Sequence, residues 1–209
     1  MFRTALLSVM LALAGYGAAA WLTHDFQVWT AEGARRLSVV ERPVPAPAAM
    51  VAGPGMTGRS LPDWLGDTGE VTIVTFFYAR CFTVCTAVGS GLQQLQQAIA
   101  ATPGSGVRLL SISFDPLHDD AARLQQYALQ WRADPGHWRV VTVPNAAELK
   151  RLLDVFQVVV IPDGQGGYEH NAALLIVDDR GRLVRIFDDT ERDTALAYAR
   201  SIVRRGSAG

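Results

Sequence analysis

Cysteine is scarce in this chain: Cys81 and Cys85 are the only two among 209 residues. That number excludes a disulfide-built scaffold and points instead to a reactive or metal-binding pair. An excess of charge of either sign is also missing. The net charge of −1 gives no electrostatic case for a nucleic-acid partner. Only four histidines are present, His24, His118, His137 and His170, so any imidazole ligand must be one of these. There is no internal repeat. There is no Ser/His/Asp triad, no phosphate-cradling glycine loop and no HExxH zinc helix. What is present is 49% hydrophobic and 19% charged residues, the balance of one globular domain with an apolar appendage.

The two cysteines stand at a junction. Val71–Tyr78 is a β-branched and aromatic run that reads as a buried strand. Beyond the cysteines, Val88, Leu92, Leu95 and Ile99 recur at helical spacing. Placed on the first turns of that helix, Cys81 and Cys85 would face one side. Their Cα atoms would lie roughly 6 Å apart along the axis, within the window of about 4.4–6.8 Å open to a disulfide. The same sulfurs could instead converge on one soft metal ion. The helix N-terminus favours thiolate over thiol, and Arg80 acts in the same direction. Two inert cysteines packed as small hydrophobes are the bland alternative. A strand-to-helix junction, however, is an exposed edge.

Ahead of this region, residues 4–22 carry no charge and reach about 28 Å as a helix, close to a hydrocarbon core. Arg3 precedes the run and Trp21 lies near its far end as an interfacial anchor. Residues 1–24 read as a single-pass anchor in a bacterial-type inner membrane, with the domain on the periplasmic side. The alternative is a signal peptide cut at Ala18–Ala20. Arg35 and Arg36 on the outer side run against the charge rule for this orientation. Residues 25–58 read as a tether: Glu41–Gly58 is rich in Pro, Ala and Gly and reads as extended and semi-rigid. Met50 and Met56 within it are incidental, although thioether sulfur can bind Cu(I).

The folded domain is expected over residues 59–209. After the cysteine helix come strands at Val107–Ser113 and Trp138–Val143, alternating with helices at Ala121–Trp131 and Ala146–Phe156. Asp119 or Asp120 is placed to cap the first of these helices and Asn145 the second. A glycine-rich loop over 162–167 leads to a hairpin of Ala172–Val177 and Leu183–Phe187, and Thr190–Val203 closes the chain as a helix. Asp188 and Asp189 are placed to cap it. Strands alternating with helices, then a hairpin and a helix, match a thioredoxin-like α/β layer fold with a central mixed sheet.

His170 lies directly before the Ala172 strand. Strand ends are where such sheets present ligands, so this imidazole can be brought near the helix that begins at the cysteines. Cys81, Cys85 and His170 would supply two soft sulfurs and one nitrogen, a reasonable three-coordinate Cu(I) set. His118 could serve as an accessory ligand or be a solvated loop residue. Asp115 could contact a ligand or simply start the Asp-Pro turn. His137 reads as turn surface.

These residues resemble a family. Phe76–Cys85, FFYARCFTVC, is similar to the F-x-Y-T-x-C-P-x-x-C-P segment of the Sco/SenC copper chaperones. Ser111–Asp119 resembles that family's S-x-D-P-x-x-D-T segment. Tyr168–Asn171, ahead of an apolar strand and Asp178–Leu183, resembles its histidine region. The resemblance implies a thioredoxin-like fold and copper, Cu(I) or Cu(II), bound by Cys81, Cys85 and His170. It also implies delivery of copper to the copper-bearing subunit of cytochrome c oxidase or another copper or thiol protein. Departures surround the ligands: Phe82 and Thr86 replace prolines, and Thr83 or Val84 replaces an acidic residue. Ala79 replaces threonine, Phe114 is an extra residue before Asp115, and Asn171 replaces serine. Groups around a metal ligand tune its affinity.

Two further functions suit the cysteine pair. A thiol–disulfide oxidoreductase would attack with Cys81 and resolve with Cys85 as redox thiols. A peroxidase on the same fold would pass through a sulfenic acid. His170 discriminates, because a copper site needs it and disulfide exchange does not. The three-residue gap between the cysteines also favours metal over the usual two-residue redox motif.

Overall fold

The structure, a computed structural model, describes residues 2–23, 26, 28–67, 69–80 and 84–206; for residues 84–87 it describes the backbone only. The chain divides into two units, 1–41 and 42–209. In the first, α1 (Phe2–Leu22) has no buried residue and is long and apolar enough to cross a membrane. It is followed by α2 (Ala31–Glu41), in which Glu32 pairs with Arg35 at 2.8 Å and with Arg36 at 2.9 Å. These are the i,i+3 and i,i+4 spacings of one helical face.

The second unit begins with three strands, β1 (Val44–Pro45), β2 (Met50–Gly53) and β3 (Met56–Ser60), and a short helix, α3 (Leu61–Gly66). Then come β4 (Val71–Phe77), α4 (Val84–Ala100), β5 (Val107–Ser113), α5 (Ala121–Gln130), β6 (Trp138–Thr142) and α6 (Ala146–Val155). Two short strands follow, β7 (Val160–Pro162) and β8 (Tyr168–His170). The chain ends with β9 (Ala173–Val177), β10 (Arg182–Asp188) and α7 (Arg192–Gly206). Eight strands form one mixed sheet in the order β1-β10-β9-β4-β5-β6-β2-β3, and β7 and β8 pair separately. This is the thioredoxin-like layering expected.

The central strands β4, β5 and β6 are parallel, and every residue of β4 and β5 is buried. Burial on both faces is why their apolar residues do not simply alternate with exposed polar ones; the polar residues within them, Thr72, Thr75, Arg108, Ser111 and Ser113, are buried too. One face packs Ile73, Phe77, Leu109 and Trp138 against Leu92, Leu95 and Ile99 of α4, Leu124 and Tyr127 of α5, and Leu196 and Ala199 of α7. Each fully buried Leu or Ile contributes about 1.5–3 kcal/mol relative to exposure. Phe76, on the opposite face, meets Phe156 edge-on at the end of α6, with centroids 6.3 Å apart. The helix caps are local: Asp120 accepts the Arg123 N–H, and Asn145 accepts those of Ala147 and Glu148. Asp119 turns inward instead. Asp188 lies in the turn that leads into α7, where its Oδ1 accepts from the N–H and hydroxyl of Thr190.

The Pro/Ala/Gly stretch differs from the extended tether expected of it. Residues 44–60 supply strands at both edges of the main sheet. Ala49 and Val51 are buried, and the Met50 N–H donates to Glu148 Oε2 at 2.7 Å. Gly53 abuts the backbone of β6 at Val140 and Val141, where a Cβ would collide. The small residues therefore serve close strand approach.

Candidate metal and thiol site

The register of the sheet gathers the site at one edge. Phe77 of β4 pairs with Ser113 of β5, so both strands end together. The next residues, Tyr78-Ala79-Arg80 and Phe114-Asp115, leave side by side. β9 runs antiparallel to β4, Val74 opposite Leu175, so its beginning at Ala173 lies near the same edge. His170 ends β8 just ahead of it. A cavity of about 470 Å³ opens there, lined in part by Tyr78, Arg80, Tyr127, Tyr168, His170 and Arg192. It sits outside the carboxyl ends of parallel strands, where open α/β sheets bind ligands.

Aromatic packing fixes His170. Phe114 lies 5.1 Å from the imidazole centroid at 66°, and Tyr168 stands edge-on to Phe114 and to Tyr78 at 5.5 and 5.2 Å. The Tyr78 hydroxyl accepts the Tyr168 N–H at 3.3 Å. The hairpin bearing His170 is closed by Asp163 Oδ1, which accepts from Gln165 and Gly167. Its base is held by Asn171, whose Oδ1 accepts the Val159 N–H at 2.8 Å and whose Nδ2 donates to Gln157 O at 3.1 Å. Desolvation lowers the His170 pKa and keeps the ring neutral. Its Nδ1 is buried with no hydrogen-bond partner among the described residues. A neutral imidazole with an unengaged nitrogen is the form that ligates a metal.

The remaining predicted residues fall as follows. Cys85 is the second residue of α4, on the first turn as expected, and its side chain lies outside the described residues. So does all of Cys81, with Phe82 and Thr83; the expectation that the two sulfurs face one side therefore concerns residues that are not described. Among the described residues no three His, Cys, Asp or Glu side chains form a metal-binding group. His118 Nδ1 meets Asp115 Oδ1 at 2.8 Å. Asp115 is buried, and its Oδ2 accepts from Arg80 at 2.9 Å. This hydrogen bond raises the Arg80 pKa. Arg80, beside Cys81, is thus anchored to the loop after β5. His137 lies on the turn, 3.1 Å from Asp134. Sequence reasoning noted Phe114 only as an extra residue and missed its contact with His170; its one signal was its position against the Asp-Pro turn.

The SCO1/SenC family model matches residues 67–204. The chain belongs to the SCO1/SenC family. A SCO1 protein homolog of Bacillus subtilis is 25% identical over 125 residues, 59% of this chain and 64% of that protein. The chain thus spans less than two thirds of that relative. Among solved structures it resembles BsSco, described as a member of the Sco family of cytochrome c oxidase assembly proteins with a disulfide switch. The TM-score is 0.67 at 20% identity, covering 78% of this chain and 95% of that one. It also resembles yeast Sco1 with copper bound, with a TM-score of 0.63 at 17% identity, covering 78% and 90%. These likenesses establish the fold of the SCO1/SenC domain.

Proposed function

We propose that this SCO1/SenC chain carries a copper ion, Cu(I) or Cu(II), as cargo held by Cys81, Cys85 and His170. It passes the ion to the copper-bearing subunit of cytochrome c oxidase or another copper or thiol protein. One observation carries the reading: the neutral His170 imidazole, packed by Phe114, has a buried Nδ1 with no partner among the described residues. Thiolates and imidazole suit copper, and transfer proceeds by exchanging these ligands for those of the acceptor. α1 serves as a single-pass anchor holding the domain on the extracytoplasmic side. Yeast Sco1 with copper bound and BsSco as an oxidase assembly protein support the reading by kinship.

A second function is favoured by the place of Cys85 on the first turn of α4, where the helix dipole stabilises thiolate. In this reading the Cys81 thiolate attacks a partner disulfide and releases one partner thiolate. Cys85 then displaces the second, leaving a Cys81–Cys85 disulfide and a reduced partner. Two electrons pass to the partner, and copper loading is switched off.

The deciding experiment is copper stoichiometry of the reduced, detergent-solubilised chain after dialysis against a competing chelator. It compares wild type with Cys81→Ser, Cys85→Ser and His170→Ala. One copper per chain in wild type, lost in each variant, is the expected result. Retention by His170→Ala removes the ligand assignment, and absence of copper from wild type leaves thiol exchange.

A further inference from the structure

Asp119 has no part in the reading above, yet its carboxyl is fully buried. Oδ2 accepts the Ser113 hydroxyl at 2.5 Å and the Ala79 N–H at 2.8 Å. Ser113 Oγ in turn accepts the Asp115 N–H at 3.1 Å. Oδ1 is buried with no hydrogen-bond partner among the described residues. Burial pushes the Asp119 pKa up. A buried carboxyl is costly unless its bonds repay it; one of these bonds, from the Ala79 N–H, reaches the chain just before Cys81, and the others lie within the loop after β5.

Ala79 is where that chain loses its sheet. Phe77 is the last residue of β4, and its carbonyl accepts the Phe114 N–H at 2.9 Å. Two residues further on, the Ala79 N–H is held by Asp119. Arg80 follows, held to Asp115 through its side chain. The Asp119 bond is therefore the last described restraint on the backbone ahead of Cys81.

We infer that Asp119 is a positioning residue for the cysteine pair. By holding the Ala79 N–H it fixes the backbone two residues ahead of Cys81, the residue to which the proposed function gives the copper and thiol chemistry. This rests on Cys81 being a working thiol in the proposed function. Its effect appears in the thiols themselves, with or without copper.

The test uses the full reduced chain in detergent with Asp119→Ala, Asp119→Asn and Ser111→Ala. Three quantities are read: amide exchange at Ala79, the equilibrium constant of the Cys81–Cys85 disulfide against glutathione, and Cu(I) affinity by chelator competition. Asp119→Ala should expose the Ala79 amide to exchange and shift the disulfide constant by about 10-fold. It should weaken Cu(I) binding by about 10–100-fold, as loss of a group that orients a ligand does. Asp119→Asn, whose amide oxygen can take both donors, should stay near wild type. Ser111→Ala disturbs a buried hydroxyl bonded to Thr75 and Trp138 and should leave both thiol readouts unchanged. Should Asp119→Ala fail to fold, Asp119→Ser, which is too short to reach Ala79, supplies the same comparison. Wild-type thiol constants in the folded Ala or Ser variant overturn the inference, as do equal shifts in Ser111→Ala. A wild-type chain without copper affinity defeats the proposed function but leaves the disulfide readout to decide this one.

Discussion

The ring of Phe114 stands edge-on to the imidazole of His170, with centroids 5.1 Å apart and planes at 66°. The two residues come from different elements, one following β5 and the other ending β8. Their contact packs the imidazole from one side. Phe114→Ala should let the ring turn and weaken copper retention by about 10–100-fold. It should also cost about 3 kcal/mol of stability, as a buried Phe→Ala change does. Chelator competition and denaturant unfolding measure the two effects, and unchanged copper retention would make the contact mere packing.

His170 also gives stability a pH dependence. Desolvation holds its pKa below the ordinary 6.5, so below that pH the unfolded chain takes up a proton that the folded one resists. The stability tied to the neutral ring is fully present above about pH 6.5 and is lost as pH falls toward the folded value. Metal-free wild type should therefore lose stability relative to His170→Gln as pH falls below 6.5. Melting curves of the two proteins at matched pH check this; a constant difference counts against it.

Gly89 of α4 lies against the indole of Trp131, where a Cβ would meet the ring. Gly89→Ala gains helix propensity of about 1 kcal/mol, yet overpacking of about 1–3 kcal/mol opposes it. The net change should be destabilising. Adding Trp131→Ala should remove the clash, so the double variant should show strong positive coupling in urea unfolding.

Arg108 of β5 lies over the Trp64 ring, its Cζ 3.6 Å from the centroid, and donates to Trp64 O at 2.6 Å and to Thr72 Oγ1 at 3.0 Å. Burial pulls its pKa down to about 10. Lysine offers neither the planar fork nor the same reach. Arg108→Lys should cost about 1–3 kcal/mol by leaving buried acceptors unpaired. Calorimetry reads the cost, and a silent substitution would show that water replaces the fork.

The elements that sequence made legible are those whose signal is local. β4 and β5 were visible as runs rich in β-branched, aromatic and aliphatic residues, α4 as the Leu92–Leu95–Ile99 face, and α5 and α6 through Asp120 and Asn145 at their starts. β1, β2 and β3 were hidden because prolines and glycines oppose strands on average. They join the sheet because β10 and β6, far along the chain, present edges to β1 and β2, and β3 pairs with β2. His170 was legible as a residue at a strand entry; that it belongs to β8, in a small separate hairpin, was not. The Asp119–Ala79 and Phe114–His170 contacts are tertiary, and no periodicity could reveal them.

The paired segment from Val44 to Ser60 also imposes an order on synthesis. It leaves the ribosome before the strands it must join, β6 on one side and β10 on the other. Until those emerge, β1 has no neighbour and β2 has only β3. Such non-local pairings slow folding, because loops must close before the contacts reward them. The proline and glycine that hid these strands from sequence reading also make them poor templates for a wrong partner while they wait.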